Sequence, residues 1–413
     1  MSTMEQILAA REARADYQKE LLAQYRHTLV CFTMNIPGSQ KDSPLVRLAF
    51  RAGCARLEEA FPKQSFRKLR FTAAGPEAFY ALPDAAETVK AALAALEEEE
   101  PIGRLWDMDV LNERGEKLSR GFARPCIVCG GDAKACAKAG THSAEEASSA
   151  AERLLRDFAA GSLARQAADA LLEEVRLTPK PGLVDAENSG SHDDMDISLF
   201  EKSAESLLPY FRTCVLTGMQ EESCMKALQA AGLEAEKTMF EATGGVNTHK
   251  GAVYAFGLIL GAMGSHLTLG SEVFSTAAMN AMDGAEPSSD THGAQVRKKF
   301  RRCGARFEAT EGFPNALSAY NILCENGNPY RALLWLIASV PDTNLLYRGG
   351  LDGLTLAQEL AKKTQALPDD LLLDGIRKMD SQLMQKHLSP GGSADLLALG
   401  FFLKATENIW DED

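Results

Sequence analysis

Three groups of side chains in this sequence have the types and spacing of reactive chemistry. The first is Asp107 and Asp109, two apart in RLWDMDVL and flanked by Leu105, Trp106, Met108 and Val110, the pattern of a strand packed on a core. On a strand, residues i and i+2 share a face. Two carboxylates side by side can hold one or two Mg²⁺ ions against a phosphate chain; a hairpin displaying two solvated acids has the same pattern. Arg104, Arg120 and Arg124 are near enough in sequence to reach the same phosphates. The second group is Cys126, Cys129, Cys136 and His142, four soft ligands within 17 residues. They make the donor set of a Cys₃His zinc site or, equally, a run of free thiols beside a histidine. The third is a set of five polar loops: LTPKPGLVDAENSGSHDDMD (177–196), TGGVNTHKGA (243–252), DTHGAQVRKKFRRCGARFEATEGFP (290–314), DTNLLYRGG (342–350) and SPGGSADLL (389–397). TGGVNTHKGA is not a Walker A loop. Even so, a glycine turn at Gly244 and Gly245 leading into a helix exposes backbone N–H groups to a phosphate, and Lys250 adds charge. The loop at 290–314 mixes basic residues, Arg306 among them, with Glu308. Taken singly, each loop also has the plainer reading of Pro/Gly punctuation and helix caps. Five of the seven histidines fall in the second half, and His192, His249 and His292 lie inside these loops.

The elements that would position these groups divide the chain. A helix over Met4–Tyr25, a strand in TLVCFTMNIPG (28–38), helices over 44–60 and 85–100, and a hairpin of two strands joined at Asn112–Gly115 make the first half α+β. THSAEEASSAA (141–151) is a linker or a capped helix start. Helical windows then dominate, at 154–175, 199–216, 225–241, 252–264, 330–340 and 394–404, without convincing strand alternation. The expectation is an α+β domain over 1–150 and a mainly α-helical domain over 155–413.

Composition bounds the function. At 413 residues, 45% hydrophobic and 24% charged, the chain is an ordinary globular protein of two or three domains. The apolar stretch Val253–Met263 is too short for a bilayer. The first residues carry charge where a signal peptide needs an apolar core, and nine cysteines then read as reduced thiols, so a cytoplasmic protein without a membrane partner is expected. Residues 1–150 hold 20 Lys and Arg against 21 Asp and Glu, and the remainder 24 against 36, so nearly all of the −13 net charge lies in the second half. That argues against a nucleic-acid partner. A polyanionic substrate there would need a divalent cation or converging basic groups.

AAREARADYQ, TMNIPGSQK, GRLWDMDVL, the arginine before CIVC and the tail from Cys136 to His142 together resemble apo-citrate lyase phosphoribosyl-dephospho-CoA transferase over almost all of 1–145. The resemblance implies a nucleotidyltransferase-like domain that moves a phosphoribosyl-dephospho-CoA group onto a serine of the citrate lyase acyl carrier subunit, with release of pyrophosphate. Mg²⁺ at Asp107 and Asp109 would neutralise the triphosphate. Pro125 stands where a basic residue is expected, which weakens any phosphate contact from that position. Lys63, Arg67, Lys68 and Arg70 offer a basic surface for an acidic carrier, or a solvated face.

PKPGLVD…SGSHDDMD, GGVNTHKG, THG…GARFEA…GFP, DTN…RGG and SPGGSAD resemble triphosphoribosyl-dephospho-CoA synthase over 160–405. This implies attack by the 2′-hydroxyl of 3′-dephospho-CoA on C1′ of ATP, with departure of adenine through an oxocarbenium-like transition state. Within the matching loops, Asp185, His192 and Asp194 are the acid/base candidates. Asn247, His249, Lys250 and Arg348 are the phosphate-binding candidates, with Asp194, Asp196 or Asp342 for Mg²⁺. Together the halves read as a fused bifunctional enzyme whose domain order is the reverse of its reaction order. The alternatives are a metal-dependent ADP-ribose-type hydrolase joined to a zinc-stabilised carrier-binding adaptor, or the same chemistry serving a malonate decarboxylase carrier.

Overall fold

The computed structural model describes residues 3–220, 224–284, 292–300 and 302–407. The chain divides into two compact units, Met1–Ala159 and Ala160–Asp413. The first contains α1 Met4–Tyr25, β1 Thr28–Met34, α2 Pro44–Ala60, β2 Phe66–Thr72, β3 Gly75–Leu82, α3 Ala86–Glu99, β4 Trp106–Leu111, α4 Ala133–Ala139 and the start of α5 Ala144–Arg176. The four strands form one antiparallel sheet in the order β2-β3-β1-β4. Val30 and Phe32 point to the face covered by α2, where Phe32 stacks on Phe50 at 4.9 Å and the Trp106 indole donates to the Ala49 carbonyl at 2.9 Å. On the opposite face α1 covers one end, closing Leu21 over Leu29, Cys31 and Phe79. Toward the other end this face carries polar residues, because Thr33 on β1 stands between Asp107 on β4 and Glu77 on β3.

One expectation in this unit needs correcting, and one alternative is decided. The segment after β4 makes its turn, with Gly115 N–H donating to the Asn112 carbonyl at 2.8 Å, but no second strand follows; pairing shrinks to a single bridge between Leu111 and Lys117. Of the two readings of 141–151, the capped helix start holds: the stretch begins α5, where the Ser143 hydroxyl accepts from Glu146 N–H and the Glu146 carboxylate accepts from Ser143 N–H at 3.1 and 2.7 Å. That reciprocal pair is a capping box, a helix start.

The second unit contains the rest of α5, then α6 Ile197–Ser206, α7 Leu208–Gly218, α8 Met225–Ala242, α9 Lys250–His266, α10 Ser271–Asp283, α11 His292–Phe300, α12 Gly304–Thr310, α13 Pro314–Asn326, α14 Pro329–Ser339, α15 Thr343–Gln365, α16 Asp369–Met384 and α17 Gly391–Thr406. No strand lies among its described residues. Helix α9 is apolar on all sides and buried from Ala252 to Gly264 but for Tyr254, so it is the axis around which α7, α8, α10 and α17 pack. Among the described residues no helix is long and apolar enough to cross a membrane. Asp290 and Thr291 of the 290–314 loop, and the side chain of His292, lie outside the described residues.

Candidate functional site

In the first unit the polar end of the sheet gathers three carboxylates. Asp107 and Asp109 project from one face of β4, opposite Thr33 and Cys31 on β1, and Glu77 stands on the same face one strand further on. Each carboxylate has a cationic neighbour. The Asp107 Oδ1 lies 3.3 Å from Arg124 Nη1, Asp109 Oδ2 2.5 Å from Lys117 Nζ, and Glu77 3.2 Å from Arg70 and 3.6 Å from Arg14. Burial, then the charge of Asp107, pushes the Asp109 carboxyl above its ordinary value. Glu77 is also pushed up by burial, and neither of its buried oxygens has a hydrogen-bond partner.

The outer edge of β4 is closed by side chains. Met108 N–H donates to Glu97 Oε1 at 2.7 Å, the Met108 carbonyl accepts from Lys90 Nζ at 2.9 Å, and the Trp106 carbonyl accepts from Arg124. Glu97, with a fully buried side chain, also holds Arg120 and, at 3.4 Å, Arg124. Arg104 donates to the Pro125 carbonyl, while its buried Nη1 has no partner. Glu97, Arg104, Arg120, Arg124, Pro125 and Cys126 line a cleft of about 520 Å³. The three arginines expected near the phosphates therefore do converge. Pro125 contributes its carbonyl to that arrangement. The ligand atoms of Cys126, Cys129, Cys136 and His142 all lie within 4.8 Å of one another. In the basic stretch before them, Arg67 pairs with Glu58 at 2.6 Å, Arg70 with Glu77, and Arg70 and Lys68 lie over the Tyr17 ring, while Lys63, Arg67 and Lys68 are exposed.

In the second unit four of the five polar loops, all but 290–314, meet at the start of α17. Ser389 Oγ lies 2.9 Å from His192 Nε2, and Arg348 donates to His192 Nδ1 at 3.2 Å, so the ring is a neutral tautomer with its proton on Nε2. Burial and the Arg348 charge lower the His192 pKa accordingly. Four residues on, Ser393 donates from N–H and hydroxyl to Asp342 Oδ2 at 2.8 and 3.2 Å, while Asn344 and Leu345 N–H donate to Asp342 Oδ1. All four acceptor positions of this carboxylate are taken, so Asp342 ties the starts of α15 and α17 together and is not free to take a metal ion. Two residues further, Asp395 packs so closely on α9 that a Cβ at Gly251 would overlap its Oδ2. Burial, followed by the charges of Glu174 and Asp342, holds the Asp395 carboxyl well above its ordinary value, against a hydrogen bond from Ala252 N–H.

His249, which precedes α9, is buried. Thr248 Oγ1 donates to Ser203 Oγ at 2.7 Å, and the Ser203 hydroxyl lies 2.8 Å from His249 Nδ1. His249 Nε2, on the other side of the ring, is buried with no hydrogen-bond partner. Burial and Lys180 push His249 down to about 3, so the ring is neutral. Lys180 itself is 1% exposed and pairs with Glu174 at 2.7 Å.

Other expected residues hold the framework. Asp185 is buried and accepts N–H bonds from Lys180, Glu187 and Asn188 at 2.7–3.0 Å, which makes it the staple of the 177–196 loop. Asp196 caps α6 through Leu199 N–H. Asp194 and Asn247 are exposed at the loop rims. Gly244 and Gly245 take φ of +65° and +94° to turn the chain from α8 toward α9. Lys250 is paired with Glu236 at 2.6 Å, and Arg306 donates to the Gly284 carbonyl. Sequence reading missed Glu77, Glu174, Lys180, Ser203 and Asp395 as site residues. Lys180 and Asp395 stood inside quoted motifs, but Glu174 and Ser203 are on helices and Glu77 is in a strand, without motif signals.

Residues 2–158 match the family model of CitX, apo-citrate lyase phosphoribosyl-dephospho-CoA transferase, and residues 160–413 match that of CitG, ATP:dephospho-CoA triphosphoribosyl transferase. The Protein CitXG of Haemophilus influenzae is 36% identical over 97% of this chain and 95% of its own length. That of Leuconostoc mesenteroides subsp. cremoris is 31% identical over 96% of each. The chain belongs to the fused CitX–CitG family. It is a bifunctional transferase of citrate lyase prosthetic-group biosynthesis. The 2-(5''-triphosphoribosyl)-3'-dephosphocoenzyme-A synthase of Haemophilus ducreyi, 36% identical, aligns with 67% of this chain and 98% of its own length. The two domain matches set aside the hydrolase-and-adaptor alternative.

Proposed function

We propose that the CitG-like unit makes the activated precursor around Asp395 and His249, and that the CitX-like unit, working as a nucleotidyltransferase-like domain, attaches it at Asp107, Asp109 and Glu77. In the first reaction the 2′-hydroxyl oxygen of 3′-dephospho-CoA bonds to C1′ of the ATP ribose as the C1′–N9 bond breaks. The hydroxyl proton is lost to a carboxylate, to which we assign Asp194 at the loop rim. The electron pair of the broken bond leaves with adenine, which takes a proton from Asp395. A carboxyl kept protonated by its surroundings is suited to that donation. His249 Nε2–H, neutral and unpartnered, is placed to donate a hydrogen bond to the charge that develops as the bond breaks. Arg348 and Lys250 supply positive charge for the triphosphate by exchanging their present partners.

In the second reaction a serine hydroxyl oxygen of the acyl carrier subunit bonds to the α-phosphorus, its proton passes to a carboxylate of this group, to which we assign Glu77, and the bond from the α-phosphorus to the bridging oxygen breaks as pyrophosphate leaves. Asp107 and Asp109 suit Mg²⁺, since they offer hard oxygen donors on one face, and Asp109, raised by burial first and then by the charge of Asp107, stands beside a like charge that a divalent cation would offset. When bound, the ion supplies charge neutralisation to the phosphates. Arg104, with its unpartnered Nη1, and Arg120 and Arg124 orient the same phosphates from the adjoining cleft. The observation that carries this reading is the grouping of three carboxylates beside three arginines at one end of the sheet. Asp107→Asn in the full chain tests it. Pyrophosphate release in the presence of apo-carrier should fall by about 10²-fold or more, while adenine release from ATP and dephospho-CoA continues at the normal rate. Unchanged pyrophosphate release would remove Asp107 from the reaction.

A further inference from the structure

We propose that Cys126, Cys129, Cys136 and His142 form a structural Zn²⁺ site that holds the arginine-bearing segment of the first unit. The inference does not rest on the assigned activity. Four soft donors within 4.8 Å of one another are a complete tetrahedral set, with no position left open for substrate. In a tetrahedral zinc site, metal–sulfur bonds of about 2.3 Å set the sulfur atoms roughly 3.8 Å apart. The Cys129 and Cys136 sulfurs stand 3.6 Å apart, close to that edge and far beyond the roughly 2.05 Å of a disulfide. All nine cysteines are free thiols.

The backbone around the cluster is organised to present these atoms. Gly130 N–H donates to the Cys126 carbonyl at 2.9 Å, with Gly130 at φ +75°, and Cys126 N–H donates to the Gly131 carbonyl at 2.5 Å. This turn aims the Cys126 and Cys129 side chains toward one point. Asp132 caps the short helix α4, which carries Cys136, through Lys134 and Ala135 N–H at 2.7 and 3.0 Å. Gly140 ends that helix at φ +59°, and Thr141 N–H returns to the Cys136 carbonyl at 3.0 Å, which brings His142 to the same point. His142 Nε2 is buried without a hydrogen-bond partner, the state of an imidazole nitrogen awaiting either a donor or a metal.

The energetics point the same way. Helix α4 has no buried residue, so this segment has little apolar burial to hold it in place, and small units of that kind are held by disulfides or metals. The consequence of loading lies one residue away. Arg124 and Pro125 immediately precede Cys126; Arg124 contacts Asp107 and Glu97, and Pro125 accepts from Arg104. A closed zinc site would fix the position of those arginines relative to the carboxylates of β4.

The test is the metal content of the full-length chain, purified under reducing conditions and measured by inductively coupled plasma mass spectrometry. One zinc per chain is expected, and the double variant Cys129→Ser/Cys136→Ser should retain none. Replacement of zinc by Co²⁺ in the unmodified chain should give the intense visible bands of tetrahedral cobalt with sulfur-to-metal charge transfer, a readout that does not depend on how the variant folds. Removal of zinc with 1,10-phenanthroline should speed tryptic cleavage at Lys134 and Lys138, while adenine release from ATP and dephospho-CoA, assayed in excess Mg²⁺, is unchanged. A reduced, zinc-incubated chain that holds no more zinc than the double variant, or a cobalt spectrum without thiolate charge transfer, would overturn the proposal, and neither outcome bears on the transferase assignment.

Discussion

Asp395 shows how one side chain acquires a chemical role from its surroundings. Its pKa is raised by burial first and by the charges of Glu174 and Asp342 next, so it stays protonated to higher pH than an ordinary aspartate. An acid works below its pKa. Adenine release should therefore be sustained on the acid side and fall as pH rises through the raised value. Asp395→Asn should lower the rate by about 10²-fold and remove that alkaline limb from the pH–rate profile. A variant that keeps the limb would assign the titration to another group. The same sign governs stability: a carboxyl with a raised folded-state value favours the folded chain below its unfolded value, and the gain is lost as pH rises through the folded one. His249 behaves differently, because with a value of about 3 it stays neutral over the whole working range, so its proposed role is that of a hydrogen-bond donor from Nε2. His249→Gln, which retains a side-chain N–H, should preserve more adenine release than His249→Ala, as read by initial rates.

At the scale of elements, close backbone approach positions these groups. A Cβ at Gly218 of α7 would overlap the Gly261 carbonyl of α9, and one at Gly264 would overlap the Val215 carbonyl, so the two helices pack backbone to backbone. Gly218→Ala should destabilise the chain by about 1–3 kcal/mol, seen as a lower urea midpoint. Gly251→Ala should instead act on chemistry, because its Cβ would displace Asp395; adenine release should drop while the urea midpoint moves far less than in Gly218→Ala. Elements with strong periodicity or caps were legible in the sequence: α1, α2, α3, α8 and α14 lie within a residue or two of where their patterns put them. Strands β2 and β3 were not. FRKLRFT is an edge strand whose basic residues pair with Glu58 and Glu77, so it reads as a solvated run. GPEAFYAL is buried on both faces and lacks alternation. The same blindness hid Glu77, an acid inside a fully buried strand. The D-x-D pair was legible because a strand of alternating burial displays it, whereas Glu174 and Lys180 become a site only when tertiary packing buries both and pairs them. Asp185 and Asp342 look reactive in sequence as acids in polar loops, and only the structure shows the structural work that their oxygens do, accepting three and four hydrogen bonds.

For the whole molecule, the uneven charge of the sequence takes on a specific meaning. The acidic second half belongs to the unit whose family handles ATP and dephospho-CoA, so local cations such as Arg348 and Lys250, or a divalent ion, must offset it where the triphosphate sits. If the two reactions are joined only by a diffusible precursor, chains defective in different steps should complement each other. A mixture of Asp107→Asn and Asp395→Asn chains should modify the carrier from ATP and dephospho-CoA when neither does so alone, measured by the intact mass of the carrier. The central claim is tested most directly by mass spectrometry of the apo acyl carrier subunit of citrate lyase after incubation with the unmodified chain, ATP, 3′-dephospho-CoA and Mg²⁺. The account predicts a phosphoribosyl-dephospho-CoA adduct on one serine, with one adenine and one pyrophosphate released per carrier modified. A carrier of unchanged mass, or adenine released in the absence of dephospho-CoA, would contradict it.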